Sequence, residues 1–202
     1  MIRRRTFLLA LPAGLAACSG PLGGGSPPQL YTLSPVKDFA PSLPKTTAQL
    51  LVEAPSAPGG LDTERIALMK TAISVDYFAG AAWTDRAPKL VQDLLVESFE
   101  NTGKIAAIDR ESLALRADFV LEPDLRDFTA IYSGAGGPTV HVRIGLKLVR
   151  LPEKQIVGLH TASAEAPSPE DSVPAVVEAF NTALHQVIGD AVAWTLTAMA
   201  AR

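Results

Sequence analysis

Val140, Val142, Ile144, Leu146 and Leu148 alternate with His141, Arg143, Gly145 and Lys147. That two-residue period belongs to a strand with one buried and one wetted face. The preceding stretch, 117–132, places Phe119, Leu121 and Leu125 on one parity and Phe128 on the other. It predicts a long bent strand whose register changes at Pro123. Leu151-Pro152-Glu153-Lys154 then turns the chain into a third strand, 155–164, and three strands with short connections predict an antiparallel meander. Short apolar runs predict earlier strands at 30–33, 49–53, 65–69, 72–78 and 104–109, with a turn at Lys70-Thr71 and loops around Pro35, Pro41, Pro44, Pro55 and Pro58. Two segments switch to the helical period. Leu90, Val91, Leu94, Leu95 and Phe99 mark a helix over 87–102, with Asp85 as N-cap, Pro88 in the first turn and Gly103 as the stop. Val173, Val176, Val177, Phe180, Leu184, Val187, Ile188, Ala191 and Trp194 form a single stripe along 174–200, the core face of a second helix. The strands near Leu51 and at 104–109, with the first helix, suit a crossover unit. The expected fold is α+β, a mixed, largely antiparallel sheet with two long helices packed on it.

The pattern differs at the N-terminus. Arg3, Arg4 and Arg5 lead an apolar stretch, Phe7 to Leu15, that is interrupted by Pro12. It is too short to span a bilayer, which needs about 20 apolar residues. Leu15-Ala16-Ala17-Cys18 follows, and Cys18 is the only cysteine in the sequence. Basic leader, apolar core, small residues and cysteine in that order predict a lipoprotein signal over residues 1–17 and a lipidated N-terminus at Cys18. Arg4-Arg5-Thr6-Phe7-Leu8 also fits a twin-arginine export signal, so the export route stays open. Ser19 suits delivery to the outer membrane, where an aspartate would favour retention. Residues 18–29 are glycine-rich and end in Pro27-Pro28-Gln29, a flexible tether with a stiffened end. The eleven residues after the cysteine reach at most ~36 Å. Residues 30–202 then form one domain.

Charge narrows the function classes. Removing residues 1–17 takes away three arginines and no acids, which leaves 15 basic against 21 acidic residues and a net charge of −6. That argues against nucleic acid and against a basic patch for anionic headgroups. Ser133-Gly134-Ala135-Gly136-Gly137 lies between two strands and lacks the lysine and hydroxyl pair of a phosphate loop, so it reads as a hairpin loop. His141, His160 and His185 show no ligand-like spacing, and no Gly-x-Ser-x-Gly elbow is present. We therefore expect no catalytic residues, metal or cofactor. Arg126 and Asp127 read either as exposed polar residues at a bulge or as a paired structural contact, and the structural reading is favoured. Tyr31, Trp83 and Phe128 are the residues most open to a partner-binding role, because aromatics are enriched at interface hot spots. The competing reading is that each is core, as for Trp194.

Taken in order, five features carry a resemblance: the Cys18 motif, Tyr31-Thr32-Leu33, Trp83-Thr84-Asp85 before the first helix, Ala117–Glu122 running into Leu125-Arg126-Asp127-Phe128, and Val176–Leu184 on a last helix with Trp194. With this order and spacing the chain resembles the ABC-type transport auxiliary lipoproteins, the PqiC-like family. The resemblance implies a lipid-anchored component of the machinery that moves lipid between two membranes. It implies a periplasmic MCE-domain protein as direct partner and an inner-membrane ABC permease and ATPase as indirect ones. It implies a docking role at the periplasmic face of the outer membrane, with no ATP chemistry in this chain. A periplasmic carrier holding lipid in an apolar pocket is the alternative. The oligomeric state stays open, a homo-oligomer included.

Overall fold

The computed structural model describes residues 26–110, 117–134 and 136–201. The expected signal segment 1–17, Cys18 and most of the expected tether lie outside the described residues. In chain order the elements are β1 (Gln29–Tyr31), β2 (Thr46–Val52), β3 (Arg65–Thr71), β4 (Ser74–Trp83), α1 (Ala87–Thr102), β5 (Ile105–Asp109), β6 (Phe119–Ile131), β7 (Thr139–Arg150), β8 (Gln155–Pro167) and α2 (Val173–Ala200).

β6, β7 and β8 form the antiparallel meander that the alternation predicts. Val140, Val142, Ile144, Leu146 and Leu148 point inward, each at most 2% exposed. The register of β6 changes at Arg126, between the pairs Leu125–Ile144 and Asp127–Arg143, and not at Pro123. Pro123 keeps its place opposite Leu146 because its missing N–H is not on the β7 side. Its carbonyl accepts from Ser56 N at 3.1 Å, and Leu125 N donates to Ser56 O at 2.7 Å. That edge of the strand lies beyond the end of β2, so the proline costs no ladder bond. The bulge at Arg126 brings Phe128 onto the face of Leu121 and Leu125, and all three are buried.

The far edge of β6 is shared end to end. Its first residues pair parallel with β2 and its last residues parallel with β3. β5 extends one branch, parallel to β2, as the crossover reading expects. β4 and then β1 extend the other. The β3–β4 turn sits at Ala72-Ile73, not at Lys70-Thr71. Lys70 and Thr71 are exposed but still belong to the strand, and the Thr71 and Ser74 hydroxyls close the turn at 2.8 Å. Loss of apolar residues therefore marked the end of burial, not the end of pairing.

α1 matches its expected span, and Gly103 ends it at φ 59° with its N–H on Glu100 O, the left-handed stop that glycine adopts without strain. Its N-cap is Arg86, without a side-chain cap bond, and not Asp85. The Asp85 carboxylate accepts instead from Arg86 N at 2.7 Å, one residue short of the helix. α2 begins at Val173 behind Ser172, whose hydroxyl accepts from Ala175 N. α2 lies across β7 and β8, and α1 packs on β5, β2 and α2. No helix of the described residues is long and apolar enough to cross a membrane. The predicted stripe of α2 is the core face; Trp194 sits at its margin, stacked on His160 at 5.2 Å. In the glycine-rich hairpin loop Ala135 lies outside the described residues. Gly137 is needed for space, since a methyl there would run into the Ser168 and Glu170 carbonyls.

Candidate functional site

Two of the three aromatic candidates are core. Trp83 is 1% and Phe128 2% exposed, and both pack on Phe180 of α2. The ring centroids lie 5.2 Å apart for Trp83–Phe180, 4.8 Å for Phe128–Phe180 and 5.6 Å for Trp83–Phe128. Such pairs add about 0.5–1.5 kcal/mol each beyond burial. In this conformation neither ring offers a surface to a partner. Trp83 Nε1 is buried without a hydrogen-bond partner, a cost that the packing of the indole offsets. Tyr31 is half-buried at the sheet margin, opposite Trp83 in the β1–β4 register. Arg126 and Asp127 do not bond each other. Arg126 pairs with Asp124 at 2.8 Å, and Asp127 with Arg143 across the sheet at 2.7 Å.

Just after β1 the chain is held to α2 by a polar clasp. Ser34 N donates to Asn181 Oδ1 at 2.8 Å, and the Ser34 hydroxyl donates to the same oxygen at 3.1 Å. His185 Nε2 lies 2.8 Å from Ser34 O and 3.1 Å from Ser34 Oγ. A carbonyl oxygen can only accept, so Nε2 carries the hydrogen and cannot draw the proton from Ser34 Oγ. A serine–histidine pair of this polarity fastens chain segments and does not generate a nucleophile. Asn181 and His185 sit at i and i+4 on one helix face, a hint in the sequence, but their partner lies 147 positions away from Asn181. Val36 N on Ser98 Oγ and Val36 O on Asn101 Nδ2 continue the fastening onto α1.

The opposite face of the meander carries cross-strand charge pairs. Lys147 meets Glu122 at 2.5 Å, Arg143 meets Asp127, and His141 Nδ1 lies 3.3 Å from Glu165. The Arg126 guanidinium lies where a Cβ on Gly145 would project, so glycine lets it rest flat on β7. The Arg126 hydrogen bond holds the Asp124 carboxyl below its ordinary value, with help from Ser56 and against the effect of burial. Exposed pairs of this kind add little stability; they make a self-neutralised, wetted surface. Two surface grooves of about 430 and 460 Å³ run over it, the first from Ser56 to His160 and the second between Asp127 and Glu165. The second is lined mostly by charged and hydroxyl side chains, whereas the first mixes charges with Pro123, Leu146 and Leu159; both are open surface grooves and not enclosed apolar pockets. Along the outer strand of this face, Ile156 and Leu159 are 55% and 71% exposed, an apolar margin beside the charges. Among the described residues no group of three or more His, Cys, Asp and Glu side chains is placed to hold a metal ion.

This architecture recurs in known proteins. The crystal structure of protein XCC0632 from Xanthomonas campestris superposes with a TM-score of 0.81 at 32% identity, over 86% of this chain and 97% of that one. A second crystal structure, of an uncharacterized protein, shares the fold with a TM-score of 0.56 at 16% identity, over 85% of this chain and 98% of that one. In sequence, protein bll6063 of Bradyrhizobium diazoefficiens is 31% identical over 189 residues, 92% of this chain, and this chain spans about half of its length. The family model described as the ABC-type transport auxiliary lipoprotein component matches residues 31–192, from β1 well into α2. The chain therefore belongs to the ABC-type transport auxiliary lipoprotein family.

Proposed function

We propose that the protein is lipidated at Cys18, sits at the periplasmic face of the outer membrane, and docks a periplasmic MCE-domain protein of an ABC-type lipid-transport system. An inner-membrane permease and ATPase would supply the energy, and this chain would supply position. The observation that carries the reading is the division of the domain into two sides. Pairing of β1 with β4 fixes where the tether meets the domain, and the Ser34 clasp ties the segment after β1 to α2, while the charge-paired sheet face with its Ile156 and Leu159 margin stays open. A lipid-anchored dock needs both: a fixed relation to the membrane and a free surface pointed elsewhere. A mixed surface of charges and isolated apolar side chains is ordinary for a non-obligate interface. The carrier alternative needs an apolar pocket, whereas the inner face of the sheet is filled by Phe128, Phe180, Leu121, Leu125 and Leu184.

The test is photocrosslinking in intact cells. A crosslinking residue at Leu159 or Thr161 should capture an MCE-domain protein, identified by mass spectrometry, and one at Glu97 on the exposed side of α1 should not. Capture of that partner only from Glu97, or no MCE protein from any position while the chain is folded and lipidated, would sink the docking role of this face. Purified protein should show no saturable ATP binding by calorimetry.

A further inference from the structure

Ile73 is 98% exposed at the tip of the β3–β4 hairpin. Turn chemistry gives no reason for it, since such positions favour Asn, Asp, Gly and Ser. The polar groups around it are already engaged with one another: Thr71 and Ser74 share a hydroxyl–hydroxyl bond at 2.8 Å. The tip thus presents Ala72 and Ile73 as an apolar point. Behind it, Val75 on β4 is 45% exposed, and Lys70 is exposed on β3.

The direction of the chain says what could meet that point. β1 runs parallel to β4, with Gln29 beside Ala81 and Tyr31 beside Trp83. The tether therefore leaves β1 on the side from which β4 comes, the side of the hairpin tip. From Ala81 back to Ser74 is seven residue steps, a span of at most ~24 Å for extended chain. The eleven tether residues after Cys18 have a root-mean-square reach of about 18 Å and a maximum of ~36 Å. The hairpin's span exceeds the average reach but lies well inside the maximum, so a lipid on Cys18 and the tip of the hairpin can meet one bilayer surface with the tether partly extended.

We propose that the β3–β4 hairpin tip is a second membrane contact, with Ile73 entering the interfacial region of the bilayer that holds the Cys18 lipid. The inference rests on the lipidation of Cys18 proposed above. One isoleucine is too little to bring a free domain to a membrane. Behind an anchor it need only act within the same complex, where a short tether gives an effective concentration in the millimolar range. Lys70 would leave its ammonium among the headgroups while its stem follows the tip. The contact would stop the domain from tumbling on its tether and would fix which way the charge-paired sheet face points.

The experiment uses the full lipoprotein reconstituted in phosphatidylethanolamine–phosphatidylglycerol vesicles. Cys18 is the only cysteine, and as a thioether it is blocked, so Ile73→Cys supplies a single thiol for an environment-sensitive fluorophore. Leu159→Cys, exposed on β8, supplies the comparison. The expected result is blue-shifted emission at position 73 and its loss in vesicles with brominated acyl chains, with neither change at position 159. Mass spectrometry of the N-terminal peptide reports the anchor separately. A lipidated protein whose probe at 73 stays in water, or is quenched no more than that at 159, overturns the hairpin contact and leaves the anchor standing. An unmodified Cys18 overturns the anchor reading and this contact with it.

Discussion

At the scale of single residues, two polar contacts tie stability to pH. Tyr132 donates to Asp171 at 2.6 Å; burial first, and that bond second, push its phenol up to about 12. The folded state then holds a proton that the unfolded chain releases near 10. Its contribution is complete below pH 10 and is lost as pH rises from there toward about 12. Tyr132→Phe should remove that alkaline loss in denaturation curves taken across the interval. The carboxyl of Asp124 is depressed below its ordinary 3.8 by Arg126. Its contribution is present above 3.8 and lost as pH falls through the depressed value, so Asp124→Asn should flatten the acid limb of the same measurement. Gly137→Ala should cost on the order of 1–3 kcal/mol, because the obstacles are backbone carbonyls of Ser168 and Glu170 and not a flexible side-chain end. Thermal unfolding checks this. The glycine-rich loop was legible as a hairpin, but the neighbour that makes Gly137 necessary was not, since it arrives about thirty residues later in the chain.

Among the elements, α2 is the one on which the core depends. Its Phe180 meets both Trp83 from β4 and Phe128 from β6, so three elements share one aromatic cluster. Phe180→Ala should destabilise the domain by about 3–5 kcal/mol in urea denaturation, whereas Leu159→Ser on the exposed margin should stay within about 0.5 kcal/mol. The Ser172 cap bond is long, 3.4 Å, so Ser172→Ala should cost no more than about 1 kcal/mol. The clasp acts between elements. Asn181→Ala leaves Ser34 N without its acceptor, and at about 1 kcal/mol for such a bond the loss should appear as faster amide exchange at Ser34 with global unfolding almost unmoved. Both helices and the meander were readable from period, and the end of α1 from Gly103. The Pro123 expectation failed because proline signals a missing donor, and only the neighbouring strand decides whether that donor was needed.

For the whole molecule, the prediction concerns the anchor. Replacing Ser19 with Asp should move the lipoprotein to the inner membrane in an enterobacterial-type sorting system, with thermal unfolding unchanged because residue 19 lies in the tether, outside residues 30–202. If the protein bridges toward a partner from the outer membrane, lipid transport should fall although partner binding in detergent persists. Membrane fractionation, pull-down and a detergent-sensitivity assay on the same strain read the three effects. A relocated protein with transport fully retained would contradict the anchored-dock reading.

Local order along the chain was enough for element type and for the α+β class, and it carries the expectation of an anchor at Cys18. Side-chain period records which face of a strand or helix meets the core, and a signal segment is recognised as linear sequence. Three matters were left to tertiary structure. β2 and β3 divide one edge of β6 between them, a choice made by register across the sheet and not by any one strand. Trp83 and Phe128 face inward while Ile73, Ile156 and Leu159 face water; hydropathy assigns both groups alike, and only packing separates them. The Ser34 clasp joins positions 147 apart. Such a pairing leaves no local mark, because its hydrogen bonds exist only once the helix and the first strand have been brought together by the burial of everything between.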